Sequence, residues 1–253
     1  MRALASYEQG AVRAAAARRV RGYVVRPDLI VHLCEGKRVL DLGVVGETCA
    51  APAARIDAFP SSLHLRLCEA ASSLVGIDRA ARELQSLRLK HPELELYEAD
   101  IESMADVLHR ERPFDVIVAG DVLEHLSNPG RALEQMKLLL ADSGTVVVTC
   151  PNSLGGPNYL RFLLGRFREG DDHVQSYNKH TLANLLRRHG FVASQIWTGI
   201  DRRPATALRR LVYGVASTVL RLFPDLGGTL IVVAEPGAPR AAQASGPPGA
   251  GFA

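Results

Sequence analysis

The 253-residue chain has four cysteines, Cys34, Cys49, Cys68 and Cys150, and no two of them form a CxxC pair. That absence argues against a zinc ribbon or a disulfide framework, and buried or incidental thiols in a reducing compartment are expected. Long apolar runs are missing too: none approaches the ~20 residues needed to cross a bilayer, so no membrane span is expected. The opening residues, MRALASYEQGAVRAAAARRVRGY, spread arginines where a secretory signal would hold a compact apolar core. A cytoplasmic location is therefore expected. The chain also lacks the GxGxxG with which dinucleotide folds wrap a pyrophosphate, which argues against a nicotinamide cofactor. Charge of one sign is scarce, at a net +3, and the arginines gather in Arg13–Arg26 and Arg202–Arg221 rather than in one central patch interleaved with aromatics. Nucleic acid is accordingly not the expected partner. No internal repeat is apparent.

With 47% apolar and 23% charged residues, the chain has the composition of a globular protein, and its length suits one α/β domain with a large core. Short β-branched or apolar runs alternate with longer helical patterns, which predicts a doubly wound, mostly parallel sheet of seven strands with helices on both faces. The predicted strands are 38–42, 74–77, 94–98, 116–119, 145–149, 192–197 and 229–233. Amphipathic helices are predicted over 79–90, 131–140 and 181–189, the last stopped by Gly190. A long Arg-rich helix over about 205–223 separates the last two strands. Residues 1–25 read as a helical segment or lid in which Tyr7 is a candidate contact. Residues 26–235 form the domain, and the Pro/Gly/Ala/Ser-rich 236–253 reads as a disordered tail.

Four segments carry the chemistry: VLDLGVVG (Val39–Gly46), LVGID (Leu74–Asp78), LYEADIE (Leu96–Glu102) and FDVIVAGDVLEHL (Phe114–Leu126). Each is an apolar strand running into an acid or a glycine turn. In an open α/β sheet these groups converge beyond the carboxyl ends of the strands, where ligands bind. Asp41 closes the first strand, Gly43 lets backbone approach a ligand closely, and Asp78 is placed to accept hydrogen bonds from two ribose hydroxyls. For any single acid, the competing reading is a helix N-cap or a turn residue.

Taken together, the four segments resemble class I S-adenosylmethionine-dependent methyltransferases over about residues 25–235. The resemblance implies a Rossmann-like methyltransferase fold and S-adenosylmethionine as cofactor, held by Asp41, Gly43, Gly46, Asp78, Asp100, Ile101 and Gly120. Asp100 would meet the adenine amino group and Ile101 the ring. The usual GxGxG of the family is here Gly43-Val44-Val45-Gly46-Glu47, so this loop must take a different path. An insertion before Asp78, with Pro52, Pro60 and a helix around 62–71, carries His64, which is expected to face solvent or to play a structural part.

After the fourth strand, Asp121, Glu124 and His125 fall within about one helical turn, where His125 could act as general base toward an acceptor hydroxyl. The ubiquinone-pathway and small-RNA 2′-O-methyltransferases carry ExxEH and a later histidine that hold a divalent metal. By that resemblance Asp121, Glu124, His125 and His173 could hold Mg²⁺, Mn²⁺ or Zn²⁺. Metal ligation, metal-free base catalysis through His125 and His173, and a purely structural role all stay open. Asn152, Tyr159, His173, Tyr177 and His180 offer groups for a small-molecule acceptor, and Asp171 and Asp172 could favour a cationic or sugar-like one. The expected activity is O-methylation of a sugar, polyol or phenolic metabolite. N-methylation of a small amine or amino sugar, and a catalytically silent cofactor-binding scaffold, are the alternatives. A homodimer is possible.

Overall fold

The computed structural model describes residues 20–46, 52–111, 113–168, 170–200 and 206–237. Among these, eight strands form a single sheet in the order β1-β7-β8-β6-β5-β2-β3-β4. They are β1 (Tyr23–Val25), β2 (Arg38–Leu42), β3 (Ser73–Asp78), β4 (Glu95–Glu98), β5 (Phe114–Gly120), β6 (Leu140–Pro151), β7 (Phe191–Ile200) and β8 (Thr229–Pro236). All run in one direction except β8, which is antiparallel to both β6 and β7.

The sheet is buried on both sides because apolar residues fill consecutive strand positions, and the period of two sends neighbours to opposite faces. Leu40, Ile117, Ala119, Val146 and Val148 point to one core, whereas Val39, Val116, Val118 and Val147 point to the other. Helices α5 (Ala105–Leu108), α6 (Pro129–Leu139) and α8 (Lys179–Arg188) cover the first face through Leu108, Leu133, Met136, Leu182 and Leu186. Helices α1 (Arg26–Cys34) and α3 (Leu63–Ala70) cover the second through Ile30, Cys34 and Leu67. A third apolar cluster lies under α4 (Ala81–Lys90), where Leu84 and Leu87 meet Val44, Val45, Phe59 and Leu96. Burial pushes the Cys34 thiol up to about 12, with the Asp41 charge adding to the effect, so this cysteine is an inert core residue.

The chain departs from its sequence reading at one edge. An eighth strand, β1, pairs in parallel with β7 through Tyr23↔Thr198 to Val25↔Ile200. The expected helical segment over 1–25 therefore ends in extended backbone, while residues 1–19, Tyr7 included, lie outside the described residues. The last two strands, β7 and β8, pair antiparallel but do not end the sheet, since β8 sits between β6 and β7 and β1 covers β7. The domain's last strand runs on to Pro236, and the tail expected beyond it lies almost wholly outside the described residues. Among the described residues, no helix is long and apolar enough to cross a membrane.

Candidate active site at the switch point

After β2, the chain builds β3 and β4 outward on one side and then returns to lay β5 against the other side of β2. At this reversal the turns following β2 and β5 diverge and leave a crevice at the carboxyl ends of the strands. Leu42 is in register with Ala119, which brings Gly43 beside Gly120 and Asp121.

Gly43 and Gly46 have φ of 78° and 85°, values that a side chain resists, so the two retained glycines stand where the turn requires them. Val45 needs no such freedom. Its side chain is buried with Phe59 and Leu84, and its N–H donates to Asp78 Oδ2 at 2.9 Å. The N–H groups of Gly43 and Val44 both donate to the Ile77 carbonyl, at 2.9 and 3.2 Å. The altered loop is thus pinned inward by two valines. Glu47 lies outside the described residues.

The three strand-end acids each have partners inside the protein. Asp41 is buried, and its Oδ2 lies 2.9 Å from Nδ1 of His64, itself buried. His64 therefore does not face solvent, and its alternative, a structural part, agrees with this pair. Asp78 sits at the end of β3, with Oδ1 accepting from Ala80 N–H at 3.0 Å. Asp100 follows β4 on the exposed rim, Oδ1 accepting from Glu102 N–H at 2.8 Å, and Ile101 packs partly buried against the main core. A methyl group added at Gly120 would meet nothing closer than Thr149 Oγ1 at 3.9 Å, and one at Gly46 would meet nothing within 4 Å. The crevice has room at both glycines.

Glu124 and His125 occupy a short 3-10 turn, Leu123–His125. The Glu124 carbonyl accepts from Val174 N–H (2.9 Å) and Gln175 N–H (3.2 Å), which straps the 171–175 loop onto this turn. The strap brings His173 to His125 with ring centroids 4.7 Å apart and the planes at 81°. One donor atom from each of Glu124, His125 and His173 lies within 4.8 Å of the others. Nδ1 of His125 lies 3.3 Å from the Asp172 carbonyl and 3.2 Å from its carboxylate. A proton on Nδ1 serves both acceptors and leaves Nε2 with its lone pair.

Glu124 is the anomalous member. It is 1% exposed, and neither carboxylate oxygen has a hydrogen-bond partner among the described residues. Burial, followed by the neighbouring Asp121 charge, pushes its carboxyl up to about 8. Buried carboxylates are normally hydrogen-bonded, so an unpartnered one beside two imidazoles is a donor set suited to a cation or a transferable proton.

Asp121 departs from its expected place in this cluster. Its backbone is left-handed at φ 52°, and its carboxylate is ion-paired with Arg26 and accepts from Thr149 Oγ1 at 3.0 Å. Among the described residues its carboxylate is not part of the group of donor atoms that Glu124, His125 and His173 bring together. Arg26, at the start of α1, also donates to Thr149 Oγ1 at 3.1 Å. Neither Arg26 nor Thr149 was a candidate from sequence, because nothing local to either residue signals the contact.

A small cleft opens beside Glu124 and His173, lined by Ser153, Asn158, Gln175, Ser176 and Tyr177. Of the expected acceptor groups, His173 and Tyr177 line it. Asn152 is instead buried structure: its Nδ2 donates to the carbonyls of Asp225 (3.1 Å) and Gly227 (2.9 Å), tying β6 to the turn before β8. Tyr159 is exposed on α7 (Gly156–Leu163), and His180 is exposed at the start of α8, away from this cleft. Asp171 is exposed beside Arg168 at 3.7 Å. Ser153, Asn158 and Gln175 replace them, small polar residues too common in loops to stand out in sequence.

A family model described as a methyltransferase domain matches residues 18–196, most of the chain and all of the crevice described so far. The chain belongs to the class I S-adenosylmethionine-dependent methyltransferases. Over 135 residues it is 27% identical to the ubiquinone biosynthesis O-methyltransferase of Albidiferax ferrireducens, an alignment covering 51% of this chain and 47% of that protein. The chain thus spans about half the length of the curated relative it matches. Among solved structures it is similar to the CcbJ methyltransferase from Streptomyces caelestis, with a TM-score of 0.55, 14% identity, and coverage of 84% of this chain and 88% of that one. It is also similar to magnesium protoporphyrin IX methyltransferase from Synechocystis PCC 6803 with bound S-adenosylhomocysteine, with a TM-score of 0.51, 14% identity, and coverage of 83% and 81%. At these identities the structural likenesses establish the fold alone. This methyltransferase keeps that fold while altering the glycine loop and covering its sheet edge with β1.

Proposed function

We propose that this S-adenosylmethionine-dependent methyltransferase methylates an oxygen of a small molecule, a sugar, polyol or phenolic, at the cleft beside Glu124 and His173. The observation that carries this reading is the buried, unpartnered Glu124 carboxylate held next to two imidazoles. In the same reading Asp78 and Asp100 take the adenosine, Ile101 lies against its ring, and the backbone at Gly43, Gly46 and Gly120 admits the methionine portion. Asp41 acts indirectly, by fixing the end of β2 through His64. The defined path of the valine-bearing loop favours this over the silent scaffold.

Methyl transfer from a sulfonium is an in-line displacement: the acceptor oxygen bonds to the methyl carbon, the C–S bond breaks to leave a neutral thioether, and the acceptor's proton must go elsewhere. Nε2 of His125 takes that proton, and the Asp172 contacts at Nδ1 stabilise the imidazolium that results. Arg26 and Thr149 hold Asp121, and with it the start of the Leu123–His125 turn. Ser153, Asn158 and Gln175 offer hydrogen bonds that orient a polar acceptor. Glu124, His125 and His173 would alternatively hold a divalent cation, Mg²⁺, Mn²⁺ or Zn²⁺, in which case His125 would be a ligand rather than the base. Such an ion would supply Lewis acidity that lowers the pKa of an acceptor hydroxyl.

His125→Ala is expected to lower S-adenosylhomocysteine formation about a hundredfold against a panel of sugar, polyol and catechol acceptors. Its calorimetric affinity for S-adenosylhomocysteine should stay that of the parent. Retained turnover would remove the base and the metal role together. Activity confined to amine acceptors would turn the reading to N-methylation.

A further inference from the structure

The loop that straps His173 onto the Leu123–His125 turn is fastened at two points around Gln175. Its own N–H donates to the Glu124 carbonyl at 3.2 Å, and two residues on the Tyr177 carbonyl accepts from Ser153 N–H at 2.8 Å, beside a parallel bridge between Asn152 and Tyr177. Gln175 therefore stands between backbone anchors, half-buried in the lining of the cleft. Its side chain is held as well, because the Tyr177 hydroxyl donates to Gln175 Oε1 at 2.8 Å.

The direction of that bond follows from burial. Tyr177 is 5% exposed, with its ring in the main core. Burial first, then the neighbouring Cys150 and Glu124, push its phenol well above the usual range, so the hydroxyl keeps its proton and stays a donor. Turning the amide over would set Nε2 against that hydroxyl and take from the phenolic proton the acceptor it has. Oε1 is thus committed to Tyr177, and Nε2, which has no partner among the described residues, is what Gln175 offers the cleft. Asn158 has less to offer: its Nδ2 already donates to the Asn152 carbonyl at 3.0 Å, and its Oδ1 accepts from Arg161 at 3.2 Å.

The rest of the lining sets the chemistry of the ligand. Beyond Glu124 and His173 it consists of Pro151, two serines, two amides and Tyr177, with neither lysine nor arginine to pair with a phosphate or carboxylate. The Tyr177 ring is committed to the core and the His173 ring already meets His125 edge to face, whereas pockets for apolar rings are lined predominantly by apolar and aromatic side chains. We propose that Gln175 is the specificity-determining residue of the acceptor site, its N–H₂ donating to an oxygen next to the hydroxyl that is methylated, so that the acceptor is a neutral sugar or cyclic polyol with vicinal hydroxyls. Tyr177 is the positioning residue that aims the amide. The proposal rests on the acceptor-site reading above and narrows it, setting aside phenolic and amine acceptors.

Ligand-observed NMR titration of the full chain with S-adenosylhomocysteine present tests it, against myo-inositol, methyl hexopyranosides, their monodeoxy analogues, catechol and small alkylamines. The best-bound vicinal diol is expected to bind about tenfold more tightly than catechol or any amine, and loss of the hydroxyl that meets Gln175 to weaken it about fivefold. Gln175→Leu, a change at a half-buried loop position, should cost the diol the same factor and make the diol and its deoxy analogue bind alike, because each change removes the same hydrogen bond. Tyr177→Phe frees the amide to turn, and should bring the ratio of diol to deoxy affinity from about five to about two with S-adenosylhomocysteine affinity unchanged. A Tyr177 that is only structural would weaken both ligands alike and leave the ratio intact. Tighter binding of catechol or an amine, no polyol binding at millimolar concentration, or a ratio unchanged by Gln175→Leu overturns the proposal. Binding is read without turnover, so the two readings fail separately. Methylation of catechol that depends on His125 would keep the acceptor-site reading and overturn this one, whereas a Gln175-dependent ratio with full turnover in His125→Ala would keep this one and remove the base.

Discussion

In metal-free protein, Glu124→Gln is expected to be more stable than the parent near pH 9 by several kcal/mol and nearly equal to it near pH 4. The parent carboxyl is pushed from 4.5 up to about 8, by burial first and by the Asp121 charge second. The folded state therefore holds its proton more tightly than the unfolded chain does. The resulting stability is complete below about pH 4.5 and is lost as the pH climbs through about 8. At about 1.4 kcal/mol per pH unit, that interval corresponds to a loss of up to about 5 kcal/mol. Gln has the same shape and never ionises, so the variant escapes the loss. For a chain of this size the melting temperatures should separate by roughly 10 °C at alkaline pH and converge in acid. Melts across this range that keep a constant offset would show that Glu124 is not held protonated by its burial.

The same pair of proteins reports on the cation. A divalent ion bound by Glu124, His125 and His173 favours the ionised carboxylate and stabilises the folded state by mass action. Manganese at alkaline pH should then raise the parent's melting temperature much more than the variant's. An equal response in both would leave His125 acting as a metal-free base.

Much of this architecture was legible because both faces of the sheet are buried, which writes near-continuous apolar runs into the chain. VLDL, LVGI and VIVA could be little else than interior parallel strands, and β2 occupies the positions its sequence predicted, Arg38–Leu42. The edge was less legible. Tyr23–Val25 is three residues long and runs directly into a helix with Pro27 in its first turn, leaving no alternation to detect. The candidate site divides in the same way. Glu124 and His125 are adjacent in one turn, and His173 joins them through backbone hydrogen bonds to the Glu124 carbonyl. Asp121 shares the local spacing, but its carboxylate is captured by Arg26, 95 positions away in the chain. No local pattern announces a partner so distant. Asn152 departs from its sequence expectation for a related reason: a polar side chain after a strand looks available until the tertiary fold supplies the carbonyls of Asp225 and Gly227.

Asp41 and His64 form a buried pair at the end of β2. His64→Ala is expected to destabilise the protein by about 3–5 kcal/mol, because it leaves the buried Asp41 carboxylate without its partner at 2.9 Å. The double variant Asp41→Ala/His64→Leu removes the polar group as well as its partner, and should lose less than His64→Ala alone despite the small cavity it creates. Chemical denaturation of the parent, Asp41→Ala, His64→Leu and the double variant closes the thermodynamic cycle. Additive losses would mean that the two side chains do not support one another. The damage should also reach cofactor affinity. Gly76 lacks a side chain where His64 Cε1 would stand 2.6 Å and Val44 Cγ1 2.8 Å from an added Cβ, so His64 and Val44 close on the same bare patch of β3. Removing the imidazole lets Val44 relax into the space, and Val45 N–H then leaves Asp78, the acid proposed to hold the ribose. S-adenosylhomocysteine should bind His64→Ala about tenfold more weakly at a temperature where the variant is still folded. Full affinity in a destabilised but folded His64→Ala would show instead that the loop holds its path through Val44, Val45 and the apolar cluster under α4 alone.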